Sequence, residues 1–146
     1  MRYTVDAEAV LRASAHQVYA LLADYHRGHP RVLPRAFTGL QVIEGGTGAG
    51  TVIDVDMKAF GRVRRVRAYV AEPEPGRVLE ERYPTADIVT RFYITPLPDA
   101  RCTVRIWSEL NSKGGWAGWV ERRLVRRYLA KLYREELTLI EKVAAE

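Results

Sequence analysis

The sequence predicts an α+β fold: a curved antiparallel sheet of seven strands wrapped around one long C-terminal helix, with two short helices between the first and second strands. Three observations carry this expectation. From Trp116 to Val143 no Pro occurs, good helix formers dominate, and apolar residues recur at three- and four-residue spacing. Between Phe37 and Leu110 the apolar period is two, over six consecutive stretches joined by turns of hairpin length. No strand–helix–strand rhythm, internal repeat or long linker interrupts them, so the six stretches read as an antiparallel meander within a single domain, 1–146.

In chain order, Tyr3 to Ala13 sets Tyr3, Val5, Ala7, Ala9 and Leu11 on one face against Thr4, Asp6, Glu8 and Arg12, the pattern of a half-buried strand. Ser14 is a good N-cap with Gln17 at the capping-box position, so a helix should run from Ala15 to about Ala23. Asp24 to Pro30 ends it, and Arg31 to Arg35 is expected to add one more turn before Pro34 interferes. Leu40, Val42 and Ile43 mark the second strand, closed by Gly45-Gly46-Thr47-Gly48-Ala49-Gly50. Thr51 to Phe60 and Arg62 to Glu72 follow, turned by Gly61. Pro73-Glu74-Pro75-Gly76 is a strong turn signal ahead of Arg77–Tyr83, Asp87–Thr95 and Cys102–Leu110. The closing helix would be roughly 40 Å long at 1.5 Å per residue. Its second half, Leu129 to Val143, carries the denser apolar spacing and should clamp the sheet. Its first turns, with Trp116, Gly118, Trp119 and Val120, should form the movable side of a pocket mouth.

Composition narrows the class. A chain of 146 residues with 47% hydrophobic and 28% charged residues can bury a sizeable core as one soluble domain. The longest apolar run, Val18 to Ala23, is too short to span a bilayer, and Met1 to Asp6 has no signal core. The one cysteine, Cys102, excludes an intrachain disulfide and makes the cytoplasm the default location. A net charge of +5 invites nucleic-acid binding. Its arginines, however, alternate on a strand (Arg62, Arg64, Arg65, Arg67) or sit in i, i+4 pairs on the last helix (Arg122, Arg123, Arg126, Arg127), which reads as a solvated face.

Motifs for chemistry are sparse. The glycine-rich run has strand-like residues on both sides and no Lys-Ser, so it reads as a flexible hairpin and not a phosphate loop. His26 and His29, near Asp24, have a spacing open to metal ligation but no third ligand, and no metal or cofactor is expected. His16 should be exposed. Cys102 shares its phase with Val104 and Ile106 and reads as a buried filler, Ser14 as a cap and Ser112 as part of a turn.

Three stretches carry a family likeness. Ala13 to Asp24 runs a strand into a helix that ends in an acidic residue, Gly45 to Thr51 is a glycine-rich loop, and Thr95 to Val104 is a proline-bearing hairpin. Together they resemble the helix-grip domains of the START and pollen-allergen-like superfamily (SRPBCC), in particular its polyketide cyclase/dehydrase and lipid transport branch. The resemblance implies a cavity between sheet and helix for a lipid, sterol, polyketide or other apolar molecule. It implies no single chemistry.

By alternation the inward set is Ile53, Val55, Met57, Val66, Ala68, Val70, Leu79, Glu81, Tyr83, Thr90, Phe92, Ile94, Val104, Ile106 and Ser108, faced from the helix by Val120, Leu124 and Tyr128. Polar members of this phase, Arg64, Glu81, Tyr83, Thr90 and Ser108, are the informative ones. Buried charges are costly alone, so Arg64 and Glu81 should pair or lie near a wet opening. The candidate ligand-binding residues are therefore Val55, Met57, Arg64, Ala68, Glu81, Tyr83, Thr90, Phe92, Ile106, Ser108, Trp116, Val120 and Leu124. The first functional expectation is a carrier or sensor of a small hydrophobic molecule, monomeric or homodimeric, with no nucleic-acid partner. The second is an aromatase/cyclase-like enzyme in which Arg64, Glu81 or Tyr83 handles protons. The third is a partner-binding module using Trp116, Trp119 and the basic helix.

Overall fold

Each strand runs antiparallel to its neighbours, in the order β1-β7-β6-β5-β4-β3-β2, so β2 to β7 form a meander and β1 pairs with β7. The computed structural model describes residues 1–146. The elements are β1 (Arg2–Leu11), α1 (Ala15–Ala23), a 3-10 turn (His29–Val32), β2 (Phe37–Glu44), β3 (Val52–Ala59), β4 (Arg62–Glu74), β5 (Val78–Tyr83), β6 (Ile88–Leu97), β7 (Arg101–Asn111) and α2 (Gly115–Ala144). The expected α+β helix grip is thus the observed fold.

Alternation fills the concave face. Val5, Ile53, Val55, Val66, Ala68, Val70, Leu79, Phe92, Ile94, Val104 and Ile106 are all buried in one cluster with α1 and the second half of α2. The convex face is charged and internally paired. Arg67 stands across from Asp54, and Arg65 across from Asp56, with ion pairs of 2.8 and 3.1 Å. Arg105 meets Asp6 at 2.8 Å. Such exposed pairs contribute about 0–1 kcal/mol each, so they set sheet register more than stability.

α1 begins as its sequence predicts: the Ser14 hydroxyl accepts from the Gln17 N–H at 3.1 Å and the Gln17 side chain accepts from the Ser14 N–H at 3.2 Å. The second short helix is displaced. It spans His29–Val32, not Arg31–Arg35, because Pro30 fits a first helical turn while Pro34 holds Leu33 extended.

The glycine-rich run is a docked segment and not a free hairpin. Gly48 N–H donates to the Ala23 carbonyl at 3.0 Å, which satisfies a carbonyl left open at the α1 C-terminus. Tyr25 N–H donates to the Gly46 carbonyl at 2.8 Å, and Ala49 N–H donates to the Glu72 carboxylate at 2.7 Å. A Cβ on Gly46 would lie 2.3 Å from the His26 ring, and one on Gly48 would lie 2.2 Å from Glu72 Oε1. Glycine is what lets this loop seat the end of α1, and with it Tyr25, against the sheet.

Burial along α2 is unequal. Leu129, Leu132, Tyr133, Glu136, Leu137 and Ile140 are buried, whereas Trp116 is 77% exposed and Leu124 51% exposed. Ile140→Ala should therefore destabilise the fold by about 2–5 kcal/mol, while Leu124→Ala should change it by no more than about 0.5 kcal/mol. Urea denaturation of the two variants measures the difference, and equal effects would refute the division of the helix.

Candidate functional site

The inward phase of the sheet places three polar residues side by side. Glu81 on β5 pairs with Thr90 on β6, and Thr90 pairs with Ser108 on β7, forming one row across the concave face. Val70 and Val5 flank the row on either side. Two residues of α2 one turn apart, Tyr133 and Glu136, are buried with it.

Glu81 is 4% exposed, a location that is costly for a carboxylate without partners. Tyr25 Oη donates to its Oε2 at 2.6 Å and Tyr83 Oη donates to its Oε1 at 2.9 Å. His29 is equally buried, stacked on Tyr25 at 4.6 Å. Its Nδ1 lies 2.7 Å from the Leu22 carbonyl, which can only accept, so Nδ1 carries a proton. Nε2 then points toward Glu81 Oε2 at 3.6 Å, beyond direct hydrogen-bond length. Burial first, and then the Glu81 charge, push the phenols of Tyr25 and Tyr83 well above the usual tyrosine range, so both remain donors. At the other end of the row, Thr90 Oγ1 and Ser108 Oγ lie 2.7 Å apart, and Ser108 also hydrogen-bonds Tyr133 Oη. Burial raises the Tyr133 phenol to about 12.

Glu136 differs from all of these. It is buried on α2, and its Oε2 has no hydrogen-bond partner. Burial, and next the charge of Glu81, raise its carboxyl well above the ordinary glutamate value, which favours the neutral acid.

Two adjoining spaces open from this cluster. An inner chamber of about 40 Å³ is lined by His29, Glu81, Tyr83, Thr90, Tyr133 and Glu136 together with apolar side chains. A vestibule of about 370 Å³ lies between α2 and the β3–β4 hairpin, with Val125, Tyr128 and Leu132 on one side and Phe60, Arg62, Arg64 and Val66 on the other. Phe37, Met57, Ile88 and Leu129 line both, forming an apolar neck.

Residues 2–145 match the family described as polyketide cyclase / dehydrase and lipid transport. The chain belongs to that family. No curated protein matches it. Among solved structures, the KanY protein superposes with a TM-score of 0.87 at 24% identity, covering 100% of this chain and 99% of that one. A protein from Thermus thermophilus gives 0.79 at 19%, covering 98% and 97%. The Zhui aromatase/cyclase from a Streptomyces species gives 0.79 at 15%, covering 99% and 94%. Such likenesses establish the shared fold of the polyketide cyclase/dehydrase and lipid transport family.

Several sequence-derived candidates meet in these spaces. Val55, Met57, Glu81, Tyr83, Thr90 and Phe92 line the inner chamber. Arg64 does not reach Glu81: it is exposed at the vestibule, with Nη2 donating to the Thr85 carbonyl at 3.3 Å. It sits at the vestibule, away from Glu81 and Tyr83. Ala68, Ile106 and Ser108 are packed inside the core and line neither space, although Ser108 touches the chamber residues Thr90 and Tyr133. Trp116, Val120 and Leu124 are exposed and line neither space. Successive four-residue steps overshoot a helical turn by roughly 40°, so the Val120-Leu124-Tyr128 row winds off the face that Glu121, Val125, Tyr128 and Leu132 present. Instead, Trp116 and Trp119 stack on each other at 5.4 Å, outside the vestibule and beside Arg123.

Sequence reasoning missed Tyr25, Tyr133 and Glu136, and weighed His29 only as a metal ligand. Glu136 had a readable signal: it falls four residues from both Leu132 and Ile140, in the middle of the apolar stripe. A raised folded-state acid binds its proton more tightly than the unfolded chain does, so wild-type stability falls as pH rises above the ordinary value of 4.5. Glu136→Gln lacks this loss and should gain on wild type by about 1.4 kcal/mol per pH unit, up to the folded-state value. Urea denaturation across pH measures it; parallel curves would refute the raised acid.

Proposed function

We propose that this protein binds a small hydrophobic molecule as a cytoplasmic carrier or sensor, with the apolar body of the ligand in the vestibule and its polar end through the neck in the inner chamber. The supporting observation is the coupling of the two spaces. A vestibule of about 370 Å³, in which 13 of 18 lining residues are hydrophobic, shares four of them with a chamber where polar groups converge. Volumes of roughly 300–1,000 Å³ with few, placed polar groups are typical of small-molecule sites. Val55, Met57, Thr90 and Phe92 would contact the ligand, and Arg64 would stand at the rim. The lone, buried Cys102 supports the cytoplasmic placement.

A second reading, an aromatase/cyclase-like enzyme, is favoured by one observation: a carboxylate held by two phenols lies beside a carboxyl with an unpartnered oxygen, in a space shielded from solvent. There the chain would mainly fold the substrate, and Glu81 and Tyr83 would move protons. Under that reading Glu81→Gln and Tyr83→Phe abolish turnover of a candidate substrate with affinity nearly unchanged. A carrier shows changes in affinity alone.

N-phenyl-1-naphthylamine, a neutral apolar fluorophore, should brighten on binding and raise the melting temperature in step with its concentration. Met57→Trp, which fills the neck, should reduce this affinity at least tenfold. Absence of any fluorescence gain with wild-type protein would overturn the binding reading.

A further inference from the structure

The inner chamber is chemically lopsided. Its lining contains the carboxylate Glu81 and the carboxyl Glu136 but no lysine or arginine. The basic side chains nearest the ligand path, Lys58, Arg62 and Arg64, all stand at the vestibule on the far side of the neck. An anionic ligand group pushed into the chamber would lose its hydration and meet Glu81, and the one side chain there able to carry positive charge, His29, already faces Glu81 at 3.6 Å, a costly arrangement. Donors are also scarce. The hydroxyls of Tyr25 and Tyr83 are committed to Glu81, and those of Thr90, Ser108 and Tyr133 share two hydrogen bonds, which leaves one proton among the three. Glu136 alone presents a buried oxygen with no partner. A buried polar atom without a partner costs about 1–3 kcal/mol, so a fold that keeps one has a use for it or suffers the loss.

We infer that Glu136 is the hydrogen-bond donor that selects the polar end of the ligand, and that this end is a neutral carbonyl oxygen and not a carboxylate. This rests on the ligand-binding reading and adds the ligand class to it. Size agrees with chemistry: a chamber of about 40 Å³ has room for a few atoms, enough for a carbonyl and too little for a ring. Neutral Glu136 is the form that can donate, and burial beside Glu81 favours that form. Fatty acids and other carboxylates are therefore poor ligands, whereas apolar ketones, aldehydes and esters are good ones.

Three naphthalenes of similar size test this: 2-acetylnaphthalene, 2-ethylnaphthalene and 2-naphthoate, each competed at neutral pH against bound N-phenyl-1-naphthylamine. Wild-type protein should bind the ketone at least tenfold more tightly than the carboxylate, and more tightly than the hydrocarbon. Glu136→Leu should lower ketone affinity about tenfold, the size of one hydrogen bond, without lowering hydrocarbon affinity, while Glu136→Gln, which keeps a donor, should retain the preference. The carbonyl stretch of the bound ketone should shift to lower frequency in wild type and Glu136→Gln and not in Glu136→Leu. Equal binding of ketone and hydrocarbon by wild type would overturn the inference, since a water on Glu136 would give that result. Tight binding of 2-naphthoate would overturn it too. Binding of the hydrocarbon without a ketone preference removes the inference alone, whereas failure of all three and of the fluorophore removes the ligand-binding reading as well. The wild-type comparison stands even if the leucine variant does not fold.

Discussion

The carboxylate of Glu81 buried on the concave face is the constraint to which the surrounding structure answers. An ion removed from water loses several kcal/mol of solvation, and only good partners recover it. One partner, Tyr83, is two residues away on the same strand, so β5 supplies it by alternation. The other, Tyr25, comes from beyond α1 and must be held there. Asp24 folds the chain back on itself through hydrogen bonds to the N–H groups of His26 and Arg27, and the glycine-rich loop grips the same segment from the side. A loop with the composition of a free hairpin thereby fixes a phenol in the core. Burial first, and then the charge of Glu81, drive its neighbour Glu136 toward the neutral acid, because a second carboxylate in the same enclosure is disfavoured.

Helix α2 serves this arrangement with one half only. Leu129 to Ile140 closes the concave face and carries Tyr133 and Glu136 to the polar row. The earlier turns are mostly solvated. Arg122 donates to Ser112 and the Lys113 carbonyl, and Arg126 lies over the Tyr3 ring, contacts that fasten the start of the helix to its preceding loop and to β1. Contacts from the β3–β4 hairpin bound the vestibule: Tyr128 donates to the Lys58 carbonyl at 2.6 Å, and the Phe60 ring packs against Tyr128 at a tilt, 5.2 Å away.

The fold was legible because its determinants are periodic. Alternation along six stretches gave register to the sheet, and the apolar stripe gave α2 its length; neither depends on knowing the partner element. The strand-borne part of the site was legible for the same reason: Glu81, Tyr83 and Thr90 share the phase of Leu79 and Phe92, so their inward direction follows from the pleat. The remainder was not, because it depends on non-periodic chain. Tyr25 and His29 lie in a loop whose path is set by the docked glycines, and no local pattern encodes that contact. On the helix the failure was angular. A four-residue row pointed to Val120 and Leu124, whereas the buried face drifts with the true turn of 3.6 residues toward Val125, Leu132 and Glu136. Glu136 itself drew no notice because glutamate in a helix is almost always solvated.

The central claim, a neutral acid on α2 and a carboxylate on β5 lining one chamber of a ligand space, can be tested on the protonation of Glu136 itself. The direct measurement is carbon-13 NMR of the glutamate carboxyls in labelled protein, titrated through neutral pH, with Glu136→Gln used to assign the resonance. One signal, absent from that variant, should hold the chemical shift of a protonated carboxyl well above the ordinary glutamate value of 4.5. A Glu136 signal that titrates at that ordinary value would contradict the account.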